Sequence, residues 1–211
     1  MSADGGLTIA VPRGALFKET LDLLDAIGID TSEVRSNDRK LLFRDVGIIT
    51  MRPSDVPTYV AAGAADIGVT GKDVLIEQAE REVYELLDLG YGRCTMVLAS
   101  VAGDDPMEEA RRRLGMMRIA TKYPKIAARH FAATGRQAEM VEVKGSVELA
   151  PLTGLVDGIV DLTATGTTLR ENGLVVREEI VVCTARLIAN PVAHKLKAAA
   201  IDELLERVRA A

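Results

Sequence analysis

Residues 154–166 read GLVDGIVDLTATG, and residues 63–71 read GAADIGVTG. Both follow one plan: Gly-x-x-Asp, a short apolar run, then a turn of threonine and glycine. The apolar runs are too short for helices, and they read as buried strands of the kind found in parallel sheets. One plan used twice in 211 residues predicts two similar lobes of about 100 residues each.

Working outward from these two stretches, strand and helix patterns alternate. LTIAVP (7–12) is a buried strand, and 16–29 carries a helical apolar stripe that Gly28 would end. Residues 40–52 read as a strand pair, and 53–65 as a helix with Ser54 as its N-cap. Further strands are expected at 117–122 and 138–145, with a helix at 123–135 between them. A helix begun by Ser146 should run to 156, a long strand should occupy 178–191, and one amphipathic helix should span 194–210. Alternation of this kind predicts an α/β fold with mainly parallel sheets. The chain should enter the second lobe near 88–105 and return near 175–190. The lobes are therefore expected at 1–92 with 178–211, and at 93–177. Two crossings imply a cleft between the lobes, a common position for a ligand.

Composition narrows the function. Hydrophobic residues make up 48% and charged residues 27%, as in an ordinary soluble globular chain. Aromatics are only 3%, Trp is absent and the net charge is −5, which argues against nucleic acid as the main partner. The two cysteines, Cys94 and Cys183, lie far apart in sequence, without metal spacing, and read as reduced thiols. The opening MSADGG does not read as a signal peptide, and no apolar run approaches the ~20 residues of a membrane span. The cytoplasm is the expected compartment, with no membrane contact.

The chemistry gathers in DLTATGTTLRENGL (161–174). This loop lies at the carboxyl end of a parallel strand, where α/β sheets deliver ligands. Its small side chains let a ligand approach the backbone, and Gly166 can take a positive φ. Backbone N–H groups with threonine hydroxyls beside them form a cup suited to phosphate. Asp161, just ahead of the cup, could accept hydrogen bonds from sugar hydroxyls. The sequence contains neither a Walker loop nor a G-x-G-x-x-G motif.

At these residues the chain resembles a known family. DLTATGTTLRENGL is similar to the phosphoribosyl diphosphate loop of the histidine-pathway ATP phosphoribosyltransferases. LTIAVPRGALFKETLDLL, DRKLLF, MRPSDVPTYVAAGAADIGVTGKDVL, VYELLDLGYGRCTMVLA, IATKYPKIAARHF and VKGSVELAPLTGLVDGIVD resemble that family's successive blocks, in order. The resemblance implies two lobes similar to type II periplasmic binding proteins. It implies transfer of phosphoribosyl from phosphoribosyl diphosphate to N1 of the ATP adenine, the first step of histidine biosynthesis.

It also implies roles for residues. Asp161, Thr163, Ala164, Thr165, Gly166, Thr167 and Thr168 would hold phosphoribosyl diphosphate. Arg13, Arg39 and Arg52 would serve catalysis by stabilising the departing diphosphate. Thr70, Gly71 and Asp73, in GVTGKD, would contact nucleotide or diphosphate. Many relatives carry Lys-Gly-Arg after the first strand. Here PRGAL puts Arg13 at the Lys position and Ala15 at the Arg position, so Arg13 or Arg39 must cover the missing charge. Glu148 and Tyr123 could border the cleft, or act as a helix-dipole partner and a packing residue respectively. His130 and His194 are given no catalytic role. Mg²⁺ would be bound mainly through substrate, with no dedicated metal ligands. The chain's end after its last helix is similar to the short form of the family. Short forms work with a separate regulatory subunit paralogous to histidyl-tRNA synthetase, so a homodimer within a hetero-oligomer is implied.

Two other readings fit the sequence less well. A nucleobase phosphoribosyltransferase usually has two adjacent acids before its loop, whereas Leu162 follows Asp161 here. A two-lobed binding or sensor domain without catalysis would be expected to lack the arginine set.

Overall fold

The computed structural model describes residues 6–211. The reading of the N-terminal stretch as no signal peptide rests mostly on residues 1–5, outside the described residues. In chain order, the first elements are β1 (Ile9–Pro12), α1 (Phe17–Ala26), α2 (Ser32–Ser36), β2 (Leu42–Phe43), β3 (Ile48–Met51), α3 (Val56–Ala61), β4 (Ile67–Gly71), α4 (Lys72–Glu77) and β5 (Tyr84–Asp88). Then come β6 (Cys94–Val101), α5 (Pro106–Leu114), β7 (Met117–Thr121), α6 (Pro124–Ala133), β8 (Ala138–Glu142), α7 (Leu149–Leu152), β9 (Gly158–Thr163), α8 (Thr167–Glu171) and β10 (Leu174–Cys183). The chain ends with β11 (Ala185–Ala189), α9 (Pro191–Leu196) and α10 (Ala198–Ala210).

Two units result. The first holds the chain up to Gly92 together with Thr184–Ala211, and the second holds Arg93–Cys183. The return crossing, expected at residue 178, comes after Cys183, because β10 stays paired with β6 from Leu174 to Cys183.

The first unit's sheet has strand order β2-β3-β1-β4-β11-β5. Its centre, β3-β1-β4, is parallel, while β2, β11 and β5 pair antiparallel at the sides. Side chains alternate across a strand, so β1 serves two cores. Ile9 and Val11 join Leu21 and Leu24 of α1 and Ile201 and Leu205 of α10. Ala10, on the other face, joins Val56 and Val60 of α3 and Ile188 of β11. Gly68 is required by that second face, since a Cβ there would come within 2.7 Å of Val56. The second unit's sheet has order β10-β6-β9-β7-β8, with β9-β7-β8 parallel and β6 antiparallel to β9 and β10. Its core gathers Val97, Ala120, Val147, Ile159 and Leu169.

Several element boundaries differ from expectation, each for a local reason. α3 stops at Ala61 rather than Ala65, because the chain turns over Gly63 at φ +74°. The Asn190 amide donates to the Val60 and Ala61 carbonyls at 2.8 and 3.2 Å and closes that end. Ser54 does not cap α3; it lies in a 3-10 turn, Pro53–Asp55, ahead of it. α7 is a single turn with Glu148, not Ser146, at its N-cap position. The expected strand over 178–191 breaks at Thr184, whose carbonyl accepts from the Lys72 N–H at 3.0 Å. The final helix is split at Lys197, whose backbone (φ −121°, ψ 29°) leaves the helical region. Among the described residues no helix is long and apolar enough to cross a membrane.

Candidate active site

In the second unit the parallel strands β7 and β9 lie side by side, with Thr121 opposite Val160. Their carboxyl ends therefore bring Lys122 beside Asp161, at 3.7 Å between Nζ and Oδ2. Asp161 is buried, and its Oδ1 accepts from the Leu162 N–H at 2.9 Å. Burial pushes its carboxyl above the ordinary value of 3.8; the neighbouring Glu148 adds to that, while the Leu162 N–H and Lys122 oppose it. An acid held this way is short of hydrogen-bond donors, and a ligand's hydroxyl groups would supply them.

The loop beyond Asp161 is built around its own hydroxyls. Gly166 sits at φ +71° and donates its N–H to Thr163 Oγ1 at 2.8 Å. Thr165 and Thr167 hydroxyls meet at 2.9 Å. Arg170, one turn into α8, reaches back to the Thr165 carbonyl at 2.9 Å and Thr167 Oγ1 at 3.0 Å. A Cβ on Gly166 would meet Arg170 Nη1 at 2.9 Å, so the glycine serves both the turn and the arginine's approach. The Ala164 and Thr165 N–H groups have no acceptor among the described residues. The resulting hollow, about 170 Å³, is lined by Glu148, Asp161, Thr163, Ala164, Thr165, Thr167 and Thr168. Six of the seven loop residues singled out in the sequence thus line one hollow, and Gly166 shapes it. Lys122 and Arg170 were not singled out. Lys122 becomes a neighbour only through sheet order, and Arg170 only through the short helix turning back on the loop.

In the first unit, β3, β1 and β4 end side by side, which sets Arg52, Arg13 and Thr70–Gly71 at neighbouring strand ends. Arg13 is largely committed to the fold. Its Nε donates to Thr50 Oγ1 at 3.0 Å and its Nη2 to the Lys40 carbonyl at 2.9 Å, with its guanidinium 5.6 Å from the Phe17 ring centre. That anchoring ties the 38–40 segment, and so Arg39, to the end of β1. The Arg39 and Arg52 side chains are exposed, and among the described residues neither guanidinium has an acceptor. Thr70 is fully buried, and its hydroxyl donates to the Pro53 carbonyl at 2.9 Å. Gly71 and Asp73 are buried too, with the Asp73 carboxylate packed over Gly71, where a Cβ would meet it at 2.1 Å. None of these three offers a side chain to solvent.

The remaining candidates fall elsewhere. Tyr123 sits at the N-cap position of α6, its N–H donating to Thr121 Oγ1 at 2.9 Å. His130 lies 3.0 Å from Glu178, which also pairs with Arg136 at 2.6 and 2.8 Å, so it ties α6 to β10. Hydrogen bonding from Arg136 holds the Glu178 carboxyl below its usual value. His194 stands edge-on to Tyr84, with ring centres 5.4 Å apart. Among the described residues no group of three or more His, Cys, Asp or Glu side chains is arranged to hold a metal.

The chain is similar to known proteins over most of its length. The family model described as HisG: ATP phosphoribosyltransferase matches residues 52–210, which leaves Arg13 and Arg39 outside the matched region. An ATP phosphoribosyltransferase of Rubrobacter xylanophilus is 53% identical over 206 residues, spanning 96% of this chain and 95% of the relative. One from Bacillus licheniformis is 44% identical over 206 residues, spanning 96% and 93%. A solved ATP phosphoribosyl transferase (HisG:HisZ) complex from Thermotoga maritima superposes with a TM-score of 0.80 at 34% identity, covering 97% of this chain and all of that one. With its two α/β units and the hydroxyl-lined loop after β9, the chain belongs to the ATP phosphoribosyltransferase family, pentosyltransferases of the first step of histidine biosynthesis.

Proposed function

We propose that phosphoribosyl diphosphate binds with its 5′-phosphate in the loop after β9 and its ribose hydroxyls on Asp161. The observation that carries this is the pairing of a buried, donor-poor carboxylate with a small-residue hollow of hydroxyls and open N–H groups. Adenine N1 of ATP attacks C1 of the ribose, the bond from C1 to the diphosphate oxygen breaks, and the electron pair leaves with diphosphate. Positive charge develops on the sugar ring and negative charge on the leaving group, so catalysis requires both to be better stabilised than in the ground state. Asp161 lies on the sugar side. Arg39 and Arg52, exposed and without protein acceptors, suit the diphosphate. Arg13 holds the Arg39 segment, and Thr70 holds the turn that carries Arg52. Gly71 and Asp73 follow Thr70 at the end of β4 and the start of α4, where they would contact nucleotide or diphosphate. N1 already carries a lone pair, so the step needs no general base, and neither histidine is assigned one.

Family membership implies a divalent metal, and we assign Mg²⁺. It would be held mainly through substrate oxygens, as its preference for several waters and few protein ligands allows. When bound, it would neutralise charge on diphosphate oxygens. The Thermotoga maritima relative was solved as a HisG:HisZ complex. We extend a regulatory subunit of that kind, paralogous to histidyl-tRNA synthetase, to this chain, together with a catalytic homodimer and a cytoplasmic location. Calorimetric titration tests the site. Asp161→Ala should weaken phosphoribosyl diphosphate binding at least about tenfold, the scale of losing hydrogen bonds to a charged group. Unchanged binding would overturn the assignment.

A further inference from the structure

The chain's two cysteines, so distant in sequence, meet in the second unit's sheet. Cys183, the last residue of β10, lies directly opposite Cys94, the first residue of β6, in the antiparallel ladder. Directly opposed residues project from the same face with Cα atoms about 4.5 or 5.5 Å apart, depending on the kind of pair. Both values fall within the roughly 4.4–6.8 Å that a disulfide spans. Both residues are thiols in this structure, Cys183 buried and Cys94 half-buried. The pair forms the terminal rung of the ladder: Cys183 is the last residue of the second unit, and Arg93, just before Cys94, is its first. A terminal rung can close by the few tenths of an ångström that a disulfide requires without disturbing a ladder on both sides.

We propose that Cys94 and Cys183 form a reversible disulfide, a redox-sensitive staple across the end of the second unit's sheet. The oxidant is a low-molecular-weight disulfide. Cys94, the more accessible, attacks it as the thiolate, forms a mixed disulfide and releases one small thiolate. Cys183 then attacks the Cys94 sulfur, forms the protein disulfide and displaces the second small thiolate. Two protein thiols lose two protons and two electrons, and the small disulfide becomes two thiols. The closed loop encloses about 90 residues, long enough for an appreciable stabilising effect on the chain. The rung also neighbours the candidate site, because Thr95, next to Cys94, pairs with Thr163 at the head of the phosphate loop. The proposal rests on sheet register alone and stands whether or not the catalytic assignment does.

The full chain is treated with oxidised glutathione under native conditions, alkylated and measured by intact mass and peptide mapping. The expected result is a loss of about 2 Da, a peptide linking Cys94 to Cys183, and recovery of two alkylatable thiols with dithiothreitol. The oxidised chain should melt at least about 5 °C above the reduced one. Cys94→Ser, a change at the half-buried position, should remain unlinked and show no shift. Two thiols that stay alkylatable after oxidation, a stable glutathione adduct on Cys94 alone, or only chain-to-chain disulfides would each overturn the proposal.

Discussion

Asp161 is a carboxylate that the fold holds at a cost to itself. Its folded value is raised, mainly by burial, so the folded chain binds that proton more tightly than the unfolded chain does. The sign follows: the buried charge destabilises the fold above the raised value, and this is relieved as pH falls towards 3.8. Asp161→Asn should therefore raise the melting temperature at pH 7 by a gain that shrinks towards pH 4, while weakening phosphoribosyl diphosphate binding. Thermal melts across that range check it, and a lowered midpoint at pH 7 would contradict it. Such a trade of stability for binding is common at functional sites. Gly166 gives a second residue-scale prediction. Gly166→Val must adopt φ +71° and crowd Arg170, a strain of about 1–3 kcal/mol. Phosphoribosyl diphosphate binding should fall at least about tenfold with the circular-dichroism spectrum unchanged, since the loop is outside the core. Asp161 and Gly166 were legible in the sequence because an acid, a glycine and the threonines lie together in one short stretch. Lys122 was not, because its place beside Asp161 is set by β7 lying next to β9.

Among the elements, the two stretches that share a plan become β4 and β9, but their turns do different work. The turn after β9 opens into a hollow, whereas the turn after β4 is buried and ties Thr70 to Pro53. The sequence shows the common plan and cannot show this difference, which depends on β11 pairing along β4 from Ile67 to Gly71. If Thr70 acts by holding the Arg52 turn, Thr70→Val removes one hydrogen bond worth about 1 kcal/mol and lowers the melting midpoint by roughly 2–4 °C. It should also lower kcat/KM, and in an Arg52→Ala background it should lower it no further. Additive losses in that cycle would show that Thr70 acts independently of Arg52. Arg39→Ala should reduce kcat about tenfold or more, the scale of one lost charge-stabilising contact. A change confined to KM would remove Arg39 from the catalytic set.

For the whole molecule, alternating strands and helices make the α/β class and the two units readable from the sequence. The strand break at Thr184 and the helix break at Lys197 were not readable, because each goes with contacts to distant residues: Lys72 with the Thr184 carbonyl, and Asp66 with the Lys197 ammonium at 2.7 Å. The cysteine pair was hidden for the same reason, since nothing local to Cys94 or Cys183 announces that β6 and β10 are partners. The proposed reading gives the sugar phosphate to the loop after β9 in the second unit. The most direct test of that account is a single assay. The purified chain is mixed with ATP, phosphoribosyl diphosphate and Mg²⁺, with and without a HisZ-type partner, and the products are separated and identified. The account predicts N1-phosphoribosyl-ATP and an equal amount of diphosphate, lost in Asp161→Ala; no such product under either condition would contradict it.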